Sequence, residues 1–313
     1  MFGSFSFGLH LRLDATVLGV AFVLTLIASA NARAGFPQLV EAVTGALGTA
    51  CQPIWLAPSR ACDIAFDAIS PAAAEGRARG VIGDREVDVL AQPVADRRKR
   101  LLVADMESTV IENEMLDELA DFLGLRPQIA EITRRAMNGE IDFIVALKRR
   151  VELLAGMEAH VLEEAAQRIR LTAGARQLVA TMRAAGAVTV LVSGGFMTFA
   201  ERVAAELGFD QVIANQLDLV GGRIAGTLHP PIIEGESKRE ALVGLAAQRG
   251  IALSQTMAVG DGANDLPMLA AAGIGIAFHA KPFVTAAARW RIEHADLTGL
   301  LYAQGYRDAE FVT

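Results

Sequence analysis

The stretch LLVADMEST, residues 101–109, decides the fold of this chain. It begins as an apolar run and ends on two acidic residues, Asp105 and Glu107. Three similar runs follow along the chain: VTVLVSG from residue 188, TMAVGDG from 256 and IGIAFH from 274. Strands that are buried on both faces have continuous apolar sequences of this kind. We therefore predict an α/β fold built on a doubly wound, Rossmann-like parallel sheet.

The residues between the first two runs have the pattern of helices. Four helical stretches follow one another there: MLDELADFLG, RPQIAEITRRAMNG, DFIVALKRRVELLAG and HVLEEAAQRI. A crossover between parallel strands needs far fewer residues than this block contains. We predict an inserted helical-bundle cap at about residues 112–172, and because open α/β sheets bind ligands at the carboxyl ends of their strands, the cap should cover the site.

The chain ahead of the first run predicts a second, smaller domain, because 313 residues exceed one typical domain. PQLVEAVTGALG has helical spacing, and PIWLAP, DIAFDAI and VDVLAQP are short enough for strands. We predict an N-terminal extension over residues 1–21, a small α/β (ACT-like) domain over 22–96 and the main domain over 97–313. The basic run at 97–100 is expected to be the junction, a solvated entry to the strand that follows.

The uncharged segment from Ala15 to Asn31 has three open interpretations. VAFVLTLIA can be a buried first strand of the small domain. The small residues after it, Ala32-Arg33-Ala34, also resemble a signal-peptidase site, and the run reaches the lower length limit of a membrane anchor. We favour the buried strand, because the leader carries a single Arg12 offset by Asp14 and the run contains threonines and a serine.

Composition excludes several classes of protein. Apolar residues make up 52% of the chain and charged residues 21%, which excludes a disordered chain. The net charge of −7 removes the attraction to phosphate backbones that nucleic-acid binders use. Cys51 and Cys62 form no C-x-x-C pair and have no histidine cluster beside them, so we expect reduced thiols and neither a zinc site nor a disulfide.

Chemistry-bearing residues lie at or just after these strand ends. Asp105, Glu107, Asp261 and Asp265 would repel one another there unless a hard cation such as Mg²⁺ bound among them. Ser193-Gly194-Gly195 follows another strand and can bind an anion at a helix N-terminus. Lys238 heads a further helix. Each feature alone has an ordinary explanation as a cap, a turn or a surface lysine, but together they favour phosphoryl transfer.

Four motifs carry a resemblance to a known family: DMEST at 105–109, SGGF at 193–196, Lys238, and GDGANDLPM at 260–268. In order and spacing they resemble the haloacid dehalogenase (HAD) superfamily. ENEMLDELA, ITRRAMNGEIDF, ALKRRV and IGIAFHAKP are similar to its phosphoserine phosphatase family. The resemblance covers about residues 100–300. It implies a Mg²⁺-dependent cytoplasmic hydrolase that converts O-phospho-L-serine to L-serine and phosphate, the last step of L-serine biosynthesis.

The resemblance also implies a role for each matching residue. Asp105 would be the nucleophile that becomes an aspartyl-phosphate, and Glu107 the acid and base. Lys238 would neutralise the charge on Asp105 and on the transferring group. The implied metal ligands are Asp105, the Glu107 carbonyl and Asp261, with Asp265 orienting them. The implied substrate-binding residues are Glu114, Arg150, Ser193, Gly194, Lys238 and Asn264, with Glu114 on the ammonium and Arg150 on the carboxylate.

Some assignments stay open. Met137 and Phe143 would shield the site from water or only pack helices. Glu112 and Arg149 are alternatives to Glu114 and Arg150.

The family usually has Asp where this chain has Glu107. Transfer of the phosphoryl group to homoserine or another alcohol is therefore an alternative, as is a weakly active serine or phosphoserine sensor. The expected partner is the small-molecule substrate O-phosphoserine, with no nucleic acid and no membrane, and a homodimer stays open.

Overall fold

The computed structural model describes residues 20–137 and 140–313. Within these residues the strands form two sheets, one of four strands and one of seven. The strands are β1 (Phe22–Ala28), β2 (Ile54–Ala57), β3 (Ala61–Phe66), β4 (Val87–Pro93), β5 (Leu101–Ala104), β6 (Val188–Phe196), β7 (Gln211–Val220), β8 (Arg223–His229), β9 (Thr256–Gly260), β10 (Ile274–Phe278) and β11 (Trp290–Ile292). The helices are α1 (Phe36–Leu47), α2 (Pro71–Ile82), α3 (Met115–Leu123), α4 (Arg126–Met137), α5 (Phe143–Glu152), α6 (His160–Ala166), α7 (Ala175–Ala184), α8 (Met197–Leu207), α9 (Gly235–Gln248), α10 (Leu266–Ala271), α11 (Pro282–Ala287) and α12 (Gly299–Ala303).

The smaller sheet is a β-α-β-β-α-β unit with strand order β2-β3-β1-β4, and its pairs are antiparallel. Its central strand β1 confirms the buried-strand interpretation for residues 22–28; residues 15–19 of that segment lie outside the described residues. Leu24 and Leu26 face α1 and α2, whereas Ile27 faces the core of the larger sheet. Burial on both faces explains why the strand is apolar except at Thr25, whose hydroxyl donates to Asp63 at 2.8 Å. Its likeness to ACT domains stays a prediction.

The larger sheet has the order β11-β10-β9-β5-β6-β7-β8. All of its pairs are parallel except β7 with β8, which confirms the α/β expectation and makes the sheet mixed. The β7–β8 hairpin and the edge strand β11 were not predicted. β7 carries polar residues and only part of it is buried, so it lacks the continuous apolar run of the central strands. The adjacent central strands β5 and β9 end side by side, where Asp105 and Asp261 follow them.

Helices α3 to α6 lie between β5 and β6 in sequence, where the inserted cap was predicted. The β7–β8 hairpin contacts this block between α5 and α6 through backbone hydrogen bonds. The Gly156 amide donates to the Ile224 carbonyl and the Ala159 amide to the Gly222 carbonyl, each at 2.9 Å. Within residues 20–137 and 140–313, no helix has the length and apolar character needed to span a bilayer.

The basic run at 97–100 is only half exposed. Arg97 donates to both carboxylate oxygens of Asp63 in β3, at 2.6 and 2.7 Å, and to the Ala303 carbonyl of α12 at 2.9 Å. Lys99 is 6% exposed. The expectation of a solvated run is therefore wrong for these two residues, because Arg97 pairs with the buried Asp63 and Lys99 donates to the carbonyls of Asp96 and Ser254, each at 2.7 Å. The domain boundary at residue 97 stays a prediction.

Candidate active site

The loops after β5 and β9 bring the first two acidic residues together. The Asp105 amide continues the strand pairing by donating to the Val259 carbonyl at 3.0 Å, so Asp105 lies beside the end of β9. Gly260 is required there, because a Cβ on it would lie 2.4 Å from Cγ of Asp265. Asp105 and Asp261 are each 6% exposed, and Asp265 is fully buried. The parallel pairing of β5 with β9 thus builds an acidic cluster at the carboxyl end of the sheet.

Lys238 joins two of these carboxylates from the first turn of α9. Its ammonium lies 2.5 Å from Oδ1 of Asp105 and 2.7 Å from Oδ1 of Asp265, with no solvent exposure. The other oxygen of Asp265 accepts from the Gly262 amide at 2.9 Å. Asp265 is therefore occupied at both oxygens, whereas Asp105 has an oxygen available to a ligand.

Burial and neighbouring charges shift the ionisation of this cluster. Burial raises the pKa of Asp105 far above its ordinary value, and the Asp265 carboxylate raises it further, against the opposing effect of Lys238. Burial also raises the pKa of Asp261 to about 6, although Lys281 opposes this. Burial alone would lower the pKa of Lys238, but Asp105 and Asp265 raise it overall, so the ammonium stays charged.

The donor set fits a hard divalent cation. Asp105, Asp261 and Asp265 each offer an oxygen within 4.8 Å of the others, and all three are buried. The Lys238 ammonium balances one of their three charges, and Lys281, half exposed, lies 3.6 Å from Asp261. Carboxylate oxygens are the ligands that such ions prefer. Because both oxygens of Asp265 are already bonded, Asp105 and Asp261 suit direct binding, and the contribution of the Glu107 carbonyl stays a prediction.

Glu107 lies in a tight turn directly after Asp105. The turn closes where the Ile111 amide donates to the Met106 carbonyl at 2.9 Å. Oε1 of Glu107 accepts from the Met115 amide at the start of α3, at 2.8 Å. Burial and the Glu114 charge raise the pKa of Glu107 to about 8, although the Met115 amide and Arg150 oppose this. A carboxyl group with this pKa is protonated at neutral pH and can act as a general acid.

Ser193 and Gly194 lie at the irregular end of β6, where its pairing with β7 shifts register. The Ser193 hydroxyl accepts from the Gly195 amide at 2.9 Å and is 1% exposed, so its own hydrogen can be donated to a ligand. Asn215 of β7 was not predicted as a site residue. It is fully buried, donates to the Gly194 carbonyl at 2.8 Å and accepts from the Ile233 amide at 2.7 Å. It thereby ties the Ser-Gly-Gly segment to the loop that leads into α9.

The cap brings Glu114 and Arg150 to the same cavity. Two residues that sequence reasoning missed hold them: the Ser108 hydroxyl donates to Glu114 at 2.7 Å, and Arg150 donates to the Thr133 hydroxyl at 3.4 Å. Both residues lie in motifs quoted above, but their contacts join separate turns and helices, so the motifs did not reveal this role. Burial lowers the pKa of Arg150, against the effect of the carboxylates around it.

The alternatives in the cap lie elsewhere. Glu112 pairs with Arg170 at 3.1 Å on the surface, and the Arg149 side chain is exposed. Phe143 lines the cavity, while the side chain of Met137 lies outside the described residues.

The cavity between cap and sheet has a volume of about 370 Å³. Of the predicted residues, Asp105, Glu107, Glu114, Arg150, Gly194, Asp261 and Asn264 line it. Ser193, Lys238 and Asp265 are buried among its supports. A second cavity of about 560 Å³, largely apolar, adjoins the first across Phe143, Arg150 and Lys281. The first cavity thus combines a candidate cation-binding cluster, a candidate nucleophile, a carboxyl group with a raised pKa and a guanidinium.

Known proteins are similar to this chain in sequence and in fold. The family model of haloacid dehalogenase-like hydrolases matches residues 102–270. Phosphoserine phosphatase SerB2 of Mycobacterium tuberculosis is 41% identical over 232 residues, which are 74% of this chain and 57% of that protein. The phosphoserine phosphatase of Streptococcus thermophilus is 44% identical over 199 residues, 64% of this chain and 93% of that protein.

A crystal structure of a HAD family hydrolase from Salmonella enterica covers 90% of this chain and 97% of its own, with a TM-score of 0.81 and 28% identity. Of the two phosphoserine phosphatases, this chain spans little more than half the length of the Mycobacterium protein and nearly all of the Streptococcus protein. The family model covers the predicted site residues from Asp105 to Asp265. The chain belongs to the haloacid dehalogenase-like hydrolase family.

Proposed function

We propose that this protein is a Mg²⁺-dependent phosphoserine phosphatase, which hydrolyses O-phospho-L-serine to L-serine and phosphate. The observation that carries the proposal is one cavity in which Asp105, bonded to a buried lysine, faces Glu114 and Arg150 of the cap. The phosphoserine phosphatases to which the chain is similar support the same substrate. In the cell we place the reaction in the cytoplasm, as the last step of L-serine biosynthesis.

In the first half of the reaction, Asp105 attacks phosphorus in line with the serine oxygen. The bond from phosphorus to serine breaks as the bond to the Asp105 oxygen forms, which gives an aspartyl-phosphate. The protonated Glu107 gives its proton to the leaving serine oxygen. Lys238, 2.5 Å from Asp105, offsets the negative charge on the phosphoryl group. Ser193 and the Gly194 amide donate hydrogen bonds to the phosphoryl oxygens.

In the second half, water takes the place of the departed serine, on the side of phosphorus opposite Asp105. Glu107, now ionised, takes a proton from the water as its oxygen bonds to phosphorus. The bond from phosphorus to Asp105 breaks and phosphate leaves, so both carboxyl groups return to their starting states. Asp105 and Asp261 would hold Mg²⁺, with the Glu107 carbonyl, and the ion would neutralise the charge of the transferring group when bound.

The cap groups give the site its preference for an amino acid. The guanidinium of Arg150 can form two parallel bonds to the substrate carboxylate, and Glu114 can pair with its ammonium. Asn264 and Phe143 line the same cavity, where Asn264 would contact the substrate and Phe143 would exclude water. The substrate is therefore recognised at three charged groups.

The test is phosphate release by the purified full chain. We expect release from O-phospho-L-serine in Mg²⁺, its loss in excess EDTA, and its loss in Asp105→Asn with an unchanged circular dichroism spectrum. Added homoserine tests the alternative of transfer to an alcohol, because a transferase would form phosphohomoserine. No release from phosphoserine, or release that survives in Asp105→Asn, contradicts the proposal.

A further inference from the structure

The resemblance leads us to expect aspartate at position 107, where this chain has the longer Glu107. The proposed mechanism requires the longer side chain to place its carboxyl group correctly. One extra methylene moves the carboxyl group by about 1.5 Å, one carbon–carbon bond. A displacement of about 1 Å can cost about 100-fold in rate. The structure around the Glu107 carboxylate shows how the extra length is taken up.

The carboxylate of Glu107 lies against Gly195. A Cβ on Gly195 would lie 2.9 Å from Oε2, 3.0 Å from Cδ and 3.1 Å from Oε1 of Glu107. Carbon and oxygen atoms that are not bonded do not approach this closely without a shift. The Met115 amide also donates to Oε1 of this carboxylate, at 2.8 Å. Gly195 and this amide are therefore both close neighbours of the carboxylate.

The backbone conformation at position 195 does not by itself require a glycine. Its φ lies outside the left-handed region, so an L-residue could adopt the same conformation. The atoms in the way belong to the end of a flexible side chain, not to the backbone. An alanine at this position would therefore displace the Glu107 carboxylate and leave the strand in place.

We propose that Gly195 is a positioning residue for Glu107: the missing Cβ provides the space for the longer acid, and the Met115 amide fixes its carboxylate where it meets the leaving oxygen. This inference rests on the proposed phosphatase function and goes beyond it by naming how this chain accommodates Glu107. Because these contacts fit the longer side chain, replacing Glu107 by aspartate should lower the activity.

A double-mutant cycle tests whether Gly195 makes room for Glu107. Its readout is kcat, measured first with O-phosphoserine. Gly195→Ala moves the carboxylate by a few tenths of an ångström, and we expect kcat to fall about tenfold. Glu107→Asp moves the carboxylate away from the Met115 amide, and we expect kcat to fall about 100-fold. The shorter acid no longer meets the alanine, so the double variant should lose about 100-fold, not the product of about 1000-fold. Gly244→Ala in α9 is the control, because nothing lies within 4 Å of a Cβ there.

Comparing two substrates with different leaving groups separates a defect in proton donation from a general loss of structure. The serine oxygen is a poor leaving group and must be protonated as it departs. p-Nitrophenolate is a good leaving group and depends much less on a general acid. Gly195→Ala should therefore lower kcat more for phosphoserine than for p-nitrophenyl phosphate, with KM little changed. Circular dichroism and melting temperature show whether each variant is folded.

Three results of the mutant cycle overturn the inference: unchanged kcat in Gly195→Ala, losses that multiply in the double variant, or a gain of activity in Glu107→Asp. Equal losses for both esters overturn it as well. If the wild type releases no phosphate from phosphoserine, the proposed substrate fails, and the same cycle is read on O-phosphoethanolamine, another alkyl phosphate. If the chain hydrolyses no phosphate ester at all, both proposals fail.

Discussion

Asn215 offers a sharp test of how the sheet supports the site. Its side chain serves three backbone groups: it donates to the carbonyls of Gly194 and Ile233, at 2.8 and 3.2 Å, and accepts from the Ile233 amide at 2.7 Å. Asn215→Leu keeps the branching and the number of side-chain heavy atoms and removes all three bonds. Each backbone group left buried without a partner costs about 1–3 kcal/mol. At about 1 kcal/mol each, the variant loses about 3 kcal/mol and stays folded if its total stability is typical.

Asn215→Leu should also reduce catalysis, because Gly194 and the loop into α9 lose their common anchor. A shift approaching 1 Å in these segments would lower kcat about 100-fold. Gln92→Met is the matched control: Gln92 is a buried amide on β4 that donates to the Ala303 carbonyl at 2.7 Å, far from the cavity. That carbonyl also accepts from Arg97 at 2.9 Å, so the control should lose at most about 1 kcal/mol and keep its kcat.

The assay is urea unfolding followed by circular dichroism, with the free energy taken from the midpoint and slope, together with kcat for phosphoserine. The reasoning is refuted if Asn215→Leu is no less stable than Gln92→Met and retains its turnover. A loss of stability with unchanged kcat would refute the link from Asn215 to the site.

Three further outcomes follow from the structure. Mg²⁺ should raise the melting temperature of the wild type but much less that of Asp261→Asn, measured by differential scanning fluorimetry; an equal rise would remove Asp261 from the metal site. Burial lowers the pKa of Lys99 from 10.5 to about 8. The unfolded chain therefore binds more protons between these values, and stability should rise with pH across that window, a slope that Lys99→Met should flatten in urea titrations. Burial raises the pKa of the fully buried Cys62 thiol, so the native protein should react with DTNB at Cys51 and expose Cys62 only on unfolding; two thiols reacting in the native state would contradict this.

The central strands and their acidic ends could be predicted from the sequence because the signal is local. Continuous apolar runs mark strands buried on both faces, and parallel strands bring their carboxyl ends to one edge. Asp105 and Asp261 therefore meet in the structure as the pattern suggested. The buried strand before α1 was predicted for the same reason.

The supports of the site could not be predicted, because they depend on contacts between distant segments. Asn215 looks like an ordinary polar residue of a partly exposed strand, yet its partners lie 18 and 21 residues away. Thr133 reaches Arg150 from another helix. Arg97 was expected in solvent because a basic run is usually hydrated, but Asp63 of the smaller sheet pairs with it. Local charge does not reveal such partners.

The measurement that tests the central claim most directly is hydrolysis of O-phospho-L-serine in ¹⁸O-labelled water with Mg²⁺. Attack on phosphorus through Asp105 predicts equal amounts of serine and phosphate, with the label in phosphate and none in serine, and no reaction in Asp105→Asn. Label in serine would show that the carbon–oxygen bond breaks. The absence of any phosphate from the wild type would contradict the account as a whole.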